Sequence, residues 1–127
     1  MTIACFKFQS PVTLVTASLI FLFGLGISAY SEEVKLTGPK ITDALSEREV
    51  KGNDTGQTSA QIFRSNGATF YSIGQAQQIG NWKIIADQYC SVWPPSEHWV
   101  CYDVFQDGNA IRFLSPSGLS VTYTLIN

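Results

Sequence analysis

Histidine occurs once in this chain, at His98, and cysteine three times, at Cys5, Cys90 and Cys101. With one imidazole and no C-x-x-C pair, the ligands that a zinc site needs are not there to be assembled. The sequence also lacks a glycine-rich phosphate turn between a strand and a helix, because Gly24-Leu25-Gly26 belongs to an apolar leader. It has no G-x-S-x-G nucleophile elbow, and no paired carboxylates spaced as in a glycosidase cleft. Charge is scarce too. The seven cations from Lys35 to Arg112 are scattered among ten carboxylates, without the basic stripe that contacts phosphates, so nucleic acid is set aside as a partner. No long apolar crossover helix separates the β-prone runs, which disfavours parallel α/β folds.

What is present begins with a leader. Lys7 is the one charged side chain before Glu32, Pro11 to Ile27 form an apolar run broken by Thr13, Thr16 and Ser18, and Ala29-Tyr30-Ser31 fits a small-x-small cleavage pattern. This order is that of a secretory signal peptide over residues 1–31, with cleavage before Glu32. The alternative is an uncleaved anchor, since the run is near the ~17-residue lower limit for spanning. Membrane contact is then expected through residues 1–31 alone. Cys5 precedes the apolar run, where an acylated lipoprotein cysteine would not stand, and it leaves with the leader. Residues 32–127 are read as a single exported domain, periplasmic or secreted, left with the even pair Cys90 and Cys101 that an oxidising compartment favours.

Within that domain, Pro39 stands where its missing N–H costs nothing at a helix start. Ile41, Ala44, Leu45 and the stem of Arg48 then recur at helical spacing, predicting one helix of about ten residues that covers an end or face of a sheet. Short β-prone runs follow at Glu49 to Lys51, Ser59 to Arg64, Ala68 to Ile73, Ile79 to Ala86, Gln88 to Trp93, His98 to Phe105, Ala110 to Leu114 and Leu119 to Ile126. Gly52 to Gly56 reads as a loop, Gln75 to Gln78 as a linker, and Asn66-Gly67 as a type I′ hairpin turn. The expected fold is all-β with one N-terminal helix: an antiparallel seven- to eight-stranded meander, small barrel or sandwich.

Cys90 and Cys101 fall on strands joined through Pro94-Pro95, nearly opposite if those strands pair, so a cross-strand disulfide is expected. Trp99, Cys101 and Phe105 alternate with Val100, Tyr102 and Val104, which implies a strand covered on both sides. Trp93 and Trp99 flank the proline loop with His98 between them, and these three are the candidate binding residues, although aromatics that simply fill a small core are the commoner case. His98 is the one residue of the side-chain type used as a general acid or base near neutrality, and Ser91, Ser96, Glu97 and Asp103 lie near it in sequence. None of them stands in a recognised nucleophile setting, so no catalytic residue and no cofactor is assigned.

Leu36-Thr37-Gly38 leading into the Ile41/Leu45 helix, then Asn66-Gly67, then Gly80-Asn81-Trp82 with Cys90 and Cys101, resembles small exported proteobacterial proteins of unknown function. The G-x-W also looks like that of lipocalin-type barrels, and the single disulfide is similar to that of periplasmic β-barrel inhibitors of proteases or lysozyme. Together these readings lead to an expected non-enzymatic periplasmic binding module engaging a protein partner. The alternatives are a lipocalin-like barrel for a small apolar ligand, or an inhibitor of a protease or lysozyme; bulky aromatics argue that such a barrel is filled.

Overall fold

The computed structural model describes Gly26 and residues 31–127. The leader assigned to residues 1–31 therefore lies, except for Gly26 and Ser31, outside the described residues. From the N-terminus, a two-residue strand β1 (Val34–Lys35) leads into the helix α1 (Gly38–Leu45). Eight strands follow: β2 (Arg48–Asp54), β3 (Gln57–Phe63), β4 (Ala68–Ile73), β5 (Ala76–Ile85), β6 (Gln88–Val92), β7 (Val100–Asp107), β8 (Ala110–Leu114) and β9 (Ser120–Ile126). Each of β2 to β9 pairs antiparallel with the next, and β9 returns to β2, opposing Leu125 to Val50. The result is a closed eight-stranded up-and-down barrel, not a sandwich. Closure leaves no unpaired edge among these strands.

Alternation sorts the side chains. Val50, Phe63, Trp82, Tyr89, Val104, Ile111 and Leu125 point inward and are buried, while their sequence neighbours point out. These inward residues crowd the end of the barrel where α1 lies. Ile41 and Leu45 of the helix are fully buried against them, so the helix plugs that end. Phe63 meets both Trp82 and Tyr89 edge-on at 5.7 Å, and the Trp82 indole N–H donates to the Arg64 carbonyl at 2.9 Å. The helix is shorter than its sequence pattern predicts. Arg48 is not on its stripe but opens β2, because the chain turns at Glu47, whose φ is 59° and whose carboxylate accepts from the Ser65 N–H and Arg64.

Further boundaries differ from expectation for identifiable reasons. Gly52-Asn53-Asp54 belongs to β2, since Gly52 lets the Tyr123 ring lie against its backbone: a Cβ there would meet that ring at 2.6 Å. The β2–β3 turn is then just Thr55-Gly56, with φ of 49° and 79°. The tight turn expected near Ala86-Asp87-Gln88 is present as Ala86-Asp87, with φ of 46° and 58°, so that β5 ends one residue earlier than its β-prone run. Its Asp87 carboxylate accepts the Gly38 N–H at 2.7 Å and so ties the start of α1 to the barrel. Asn66-Gly67 does make a hairpin, but Gly67 alone is left-handed, and the Asn66 side chain instead accepts the Ala68 N–H. Val34–Lys35, expected as a lead-in, pairs with Phe105 and Gln106 of β7, where β6 has already ended.

Cys90 and Cys101 occupy opposed register positions on β6 and β7 and are joined, with Cα atoms 4.0 Å apart. The bond lies on the outer face. Of the end or face expected for the helix, α1 takes the barrel end, so it does not supply the second cover expected for β7. No helix among the described residues is long and apolar enough to cross a membrane. In the chain-entropy account, a crosslink spanning 11 residues stabilises by about 3 kcal/mol. A Cys90→Ala, Cys101→Ala double variant is accordingly expected to lose about 3 kcal/mol of unfolding free energy, read as a lower urea midpoint with an equal or steeper slope because its unfolded chain is less compact, in equilibrium denaturation monitored by tryptophan emission.

Candidate functional site

The half of the barrel away from α1 is not filled. Its strands are closed there by the Thr55-Gly56 turn, the β4–β5 turn, the 93–99 loop and the β8–β9 turn, and between them opens a cavity of about 200 Å³. The wall is unusual for a barrel interior because most of it is hydroxyl, amide or aromatic, and none of it is charged. The expectation that aromatic bulk fills the whole interior holds for the helix end alone.

The lining arises from register. On β3, Gln61 shares the inward parity of Phe63, one step nearer the mouth, as Ser91 does relative to Tyr89 on β6; on β5, Gln78 shares that of Trp82, two steps nearer the mouth with Gly80 between. Tyr71 opposes both Gln61 and Gln78 across the ladders, and Tyr102 opposes Tyr89. Tyr123 and Val121 of β9 complete the ring. Phe113 stands between Tyr89 and Tyr123, at 5.2 and 6.0 Å centroid separations, as the apolar side of the floor.

Trp93 forms the upper wall. It packs edge-on to Tyr71 at 6.1 Å, and it reaches this position because Gly80 has no side chain: a Cβ there would fall 2.7 Å from the indole and 2.6 Å from the Val92 carbonyl oxygen. In the Gly80-Asn81-Trp82 motif, therefore, the glycine admits one tryptophan to the mouth while Trp82 itself fills the plugged end.

The floor is held by a directed hydrogen-bond chain. The Thr69 hydroxyl donates to the Ile62 carbonyl at 2.9 Å, so its oxygen accepts from the Gln61 amide nitrogen at 3.0 Å; the same nitrogen donates to the Tyr89 hydroxyl oxygen at 2.9 Å. Burial pushes the Tyr89 phenol far above its ordinary range, against the lowering pull of Ser91 and Gln61. Burial likewise raises Tyr123, to about 12, with Tyr71 and Asp54 adding to it. Tyr71 is raised by burial and by the Asp54 carboxylate, to which its hydroxyl donates at 3.4 Å. All three are neutral donors at physiological pH.

Of the candidates named from sequence, Trp93 alone lines the cavity. His98 is exposed, and its backbone N–H bonds to the Ser96 hydroxyl at 3.1 Å. Trp99 lies on the outer face under the Lys83 ammonium, 3.9 Å from the ring centroid. The three do not form one surface. Nor do Ser91, His98 and Asp103 converge: Ser91 faces the cavity, while Asp103 is bonded outside by Gln88 and Lys35, which together hold its carboxyl below the usual range. Among the described residues, no group of three or more His, Cys, Asp or Glu could hold a metal ion. A second, larger depression of about 460 Å³ lies outside β2 to β5, across the row Ile62, Phe70 and Ile79.

The residues missed from sequence, Gln61, Tyr71, Gln78, Ser91, Tyr102 and Tyr123, share one signal. Each falls on the same alternation parity as a bulky apolar residue of its own strand or of the strand it opposes.

Two outcomes follow from this geometry. Raised phenol pKa values contribute stability that is complete below the unfolded value of about 10 and is lost as pH rises through the folded values. The melting temperature should therefore hold steady to about pH 10 and then fall, with tyrosinate absorbance from Tyr89 appearing only as the barrel opens. Gly80→Ala should destabilise by about 1 to 3 kcal/mol through overpacking and displace Trp93, read together as a lower denaturation midpoint and a shifted tryptophan emission.

Comparison of the chain with protein-family models, with curated proteins and with solved structures finds no match, so its chemistry is read from its own residues.

Proposed function

We propose that this protein is an exported binding protein that holds a small organic molecule in the open half of its barrel. The observation that carries the reading is the unfilled, uncharged cavity ringed by Tyr71, Trp93, Tyr102, Phe113 and Tyr123, in a barrel whose other end is packed shut. Ligand sites are commonly of this kind: concave, largely preformed, walled by aromatic rings with a few fixed polar groups. Size narrows the occupant. An apolar cavity of ~150 Å³ takes benzene, so about 200 Å³ suits one six-membered ring with small substituents.

The apolar run Pro11 to Ile27 supports export to the periplasm or beyond, and the joined Cys90 and Cys101 support an oxidising destination. Engagement of a protein partner is the second reading. It rests on the outer row, where Phe70 is 40% and Ile79 66% exposed, and no longer on a shared surface of Trp93, His98 and Trp99.

Melting in the presence of toluene and of phenol tests the first reading. A ligand at ten times its dissociation constant adds about 1.4 kcal/mol, which for a domain of this size raises the melting temperature by roughly 6 to 11 °C. Such a shift is expected for at least one of the two, and Val121→Trp, which fills the half-exposed rim, should abolish it while melting cooperatively. No shift with either compound up to its solubility limit would overturn the cavity reading and leave the outer row as the surface to pursue.

A further inference from the structure

The direction of the floor's hydrogen bonds says more about the occupant than its size does. The Thr69 hydroxyl can reach the Ile62 carbonyl only as a donor, which fixes its oxygen as acceptor and turns the nitrogen end of the Gln61 amide toward it. That nitrogen also donates to the Tyr89 oxygen, so both amide hydrogens are engaged. Two complementary groups are left over. The carbonyl oxygen of Gln61 accepts no hydrogen bond among the described residues, and the Tyr89 hydroxyl, whose oxygen already accepts from Gln61, keeps a hydrogen to donate into the cavity, where the Ser91 hydroxyl is its neighbour. Both residues line the cavity and both are more than nine-tenths buried, Gln61 at 7% and Tyr89 at 3% exposure. An acceptor and a donor side by side on the cavity wall suit a ligand with the complementary pair, and a ligand that displaces water without matching them leaves both unpaired at a cost.

Charge is excluded by the same wall. No Asp, Glu, Lys, Arg or His lines it, and the Asp54 carboxylate that Tyr71 reaches already accepts from the Tyr71 hydroxyl. An ion would lose its hydration without a counter-charge.

We infer that the cavity selects a neutral single-ring molecule carrying a hydrogen-bond acceptor beside a donor, as in a ring carboxamide or lactam, the acceptor meeting the Tyr89 hydroxyl and the donor the Gln61 carbonyl. The ring lies among Trp93, Phe113 and Tyr102. This rests on the cavity reading and specifies its ligand class. A site built to bond an N–H rejects the analogue that lacks it far more strongly than an apolar pocket rejects a missing methylene.

Three near-isosteric probes isolate the terms: benzamide supplies donor and acceptor, acetophenone the acceptor alone, and benzoate a charge. Calorimetric titration of the folded, oxidised protein is expected to show benzamide binding at least tenfold more tightly than acetophenone, with no binding of benzoate. Gln61→Met, which removes the acceptor for the benzamide N–H, should reduce that preference to less than threefold while toluene still binds; Tyr89→Phe, which removes the donor to the carbonyl that both probes carry, should weaken benzamide and acetophenone alike and leave the preference in place. Equal affinities for benzamide and acetophenone, or binding of benzoate as tight as that of benzamide, would overturn the inference while leaving the cavity reading intact. Absence of binding by toluene and all three probes would overturn both.

Discussion

Closure of the sheet is the constraint on which everything else in this molecule rests. An eight-stranded antiparallel barrel fixes an interior about wide enough for its own side chains or for one small ligand. Because β9 pairs back onto β2 and β8 onto β7, each strand's inward parity is set by its neighbours around the whole circuit. A slip of one residue in β3, β5 or β6 would turn Phe63, Trp82 or Tyr89 respectively to the outer face and break the ladder to its neighbours. The buried layer at the helix end thus locks the register. The register in turn carries Gln61, Gln78 and Ser91 inward at the mouth, although nothing in their own chemistry favours burial.

The helix decides which half is filled. Ile41 and Leu45 add apolar volume at one end, and Glu47 and Asp87 hold the helix there through bonds to neighbouring turns. Nothing equivalent stands at the other end, where the chain supplies short turns and the 93–99 loop. Thr69, Gln61 and Tyr89 bond in sequence, so the chain of bonds offsets part of the cost of their burial and leaves the Gln61 carbonyl and the Tyr89 hydroxyl hydrogen to face the cavity. Ser59 is the exception. Its hydroxyl is fully buried and without a hydrogen-bond partner among the described residues, beside the Gly52 backbone that Tyr123 covers.

Much of this architecture was legible from local signals. Alternation and turn residues mark eight strands, the spacing of Ile41, Ala44 and Leu45 marks the helix, and two cysteines on consecutive strands mark the disulfide. Closure was not legible, since the pairing of Val50 with Leu125 joins the two ends of the domain and has no local signature. The site was hidden for a related reason. Polar residues alternating with Ile62, Phe70 and Ile79 read as the solvent side of a strand, whereas closure turns Gln61, Tyr71 and Gln78 inward and leaves the apolar partners outside. Ala76 to Gln78 read as a linker on the same ground, yet they form the mouth end of β5. Positive φ at Ala86 and Asp87 went unseen because it is imposed by the tight turn and the contact of Asp87 with Gly38, not by residue type.

The disulfide and the mouth are coupled through β6. Cys90 faces out and Ser91 faces in, so the strand that carries the crosslink also carries one wall of the cavity, and Trp93 follows two residues later. Pinning Cys90 to Cys101 fixes both stems of the 93–99 loop, which limits how far Trp93 can swing from its seat over Gly80. Without the bond, β6 and β7 are held by few register pairs, and the loop between them gains freedom at the cavity's edge. A covalent link on the outer surface thereby acts on an interior site. It restricts the loop's conformations before a ligand arrives, and a preordered wall loses less entropy on binding than a mobile one.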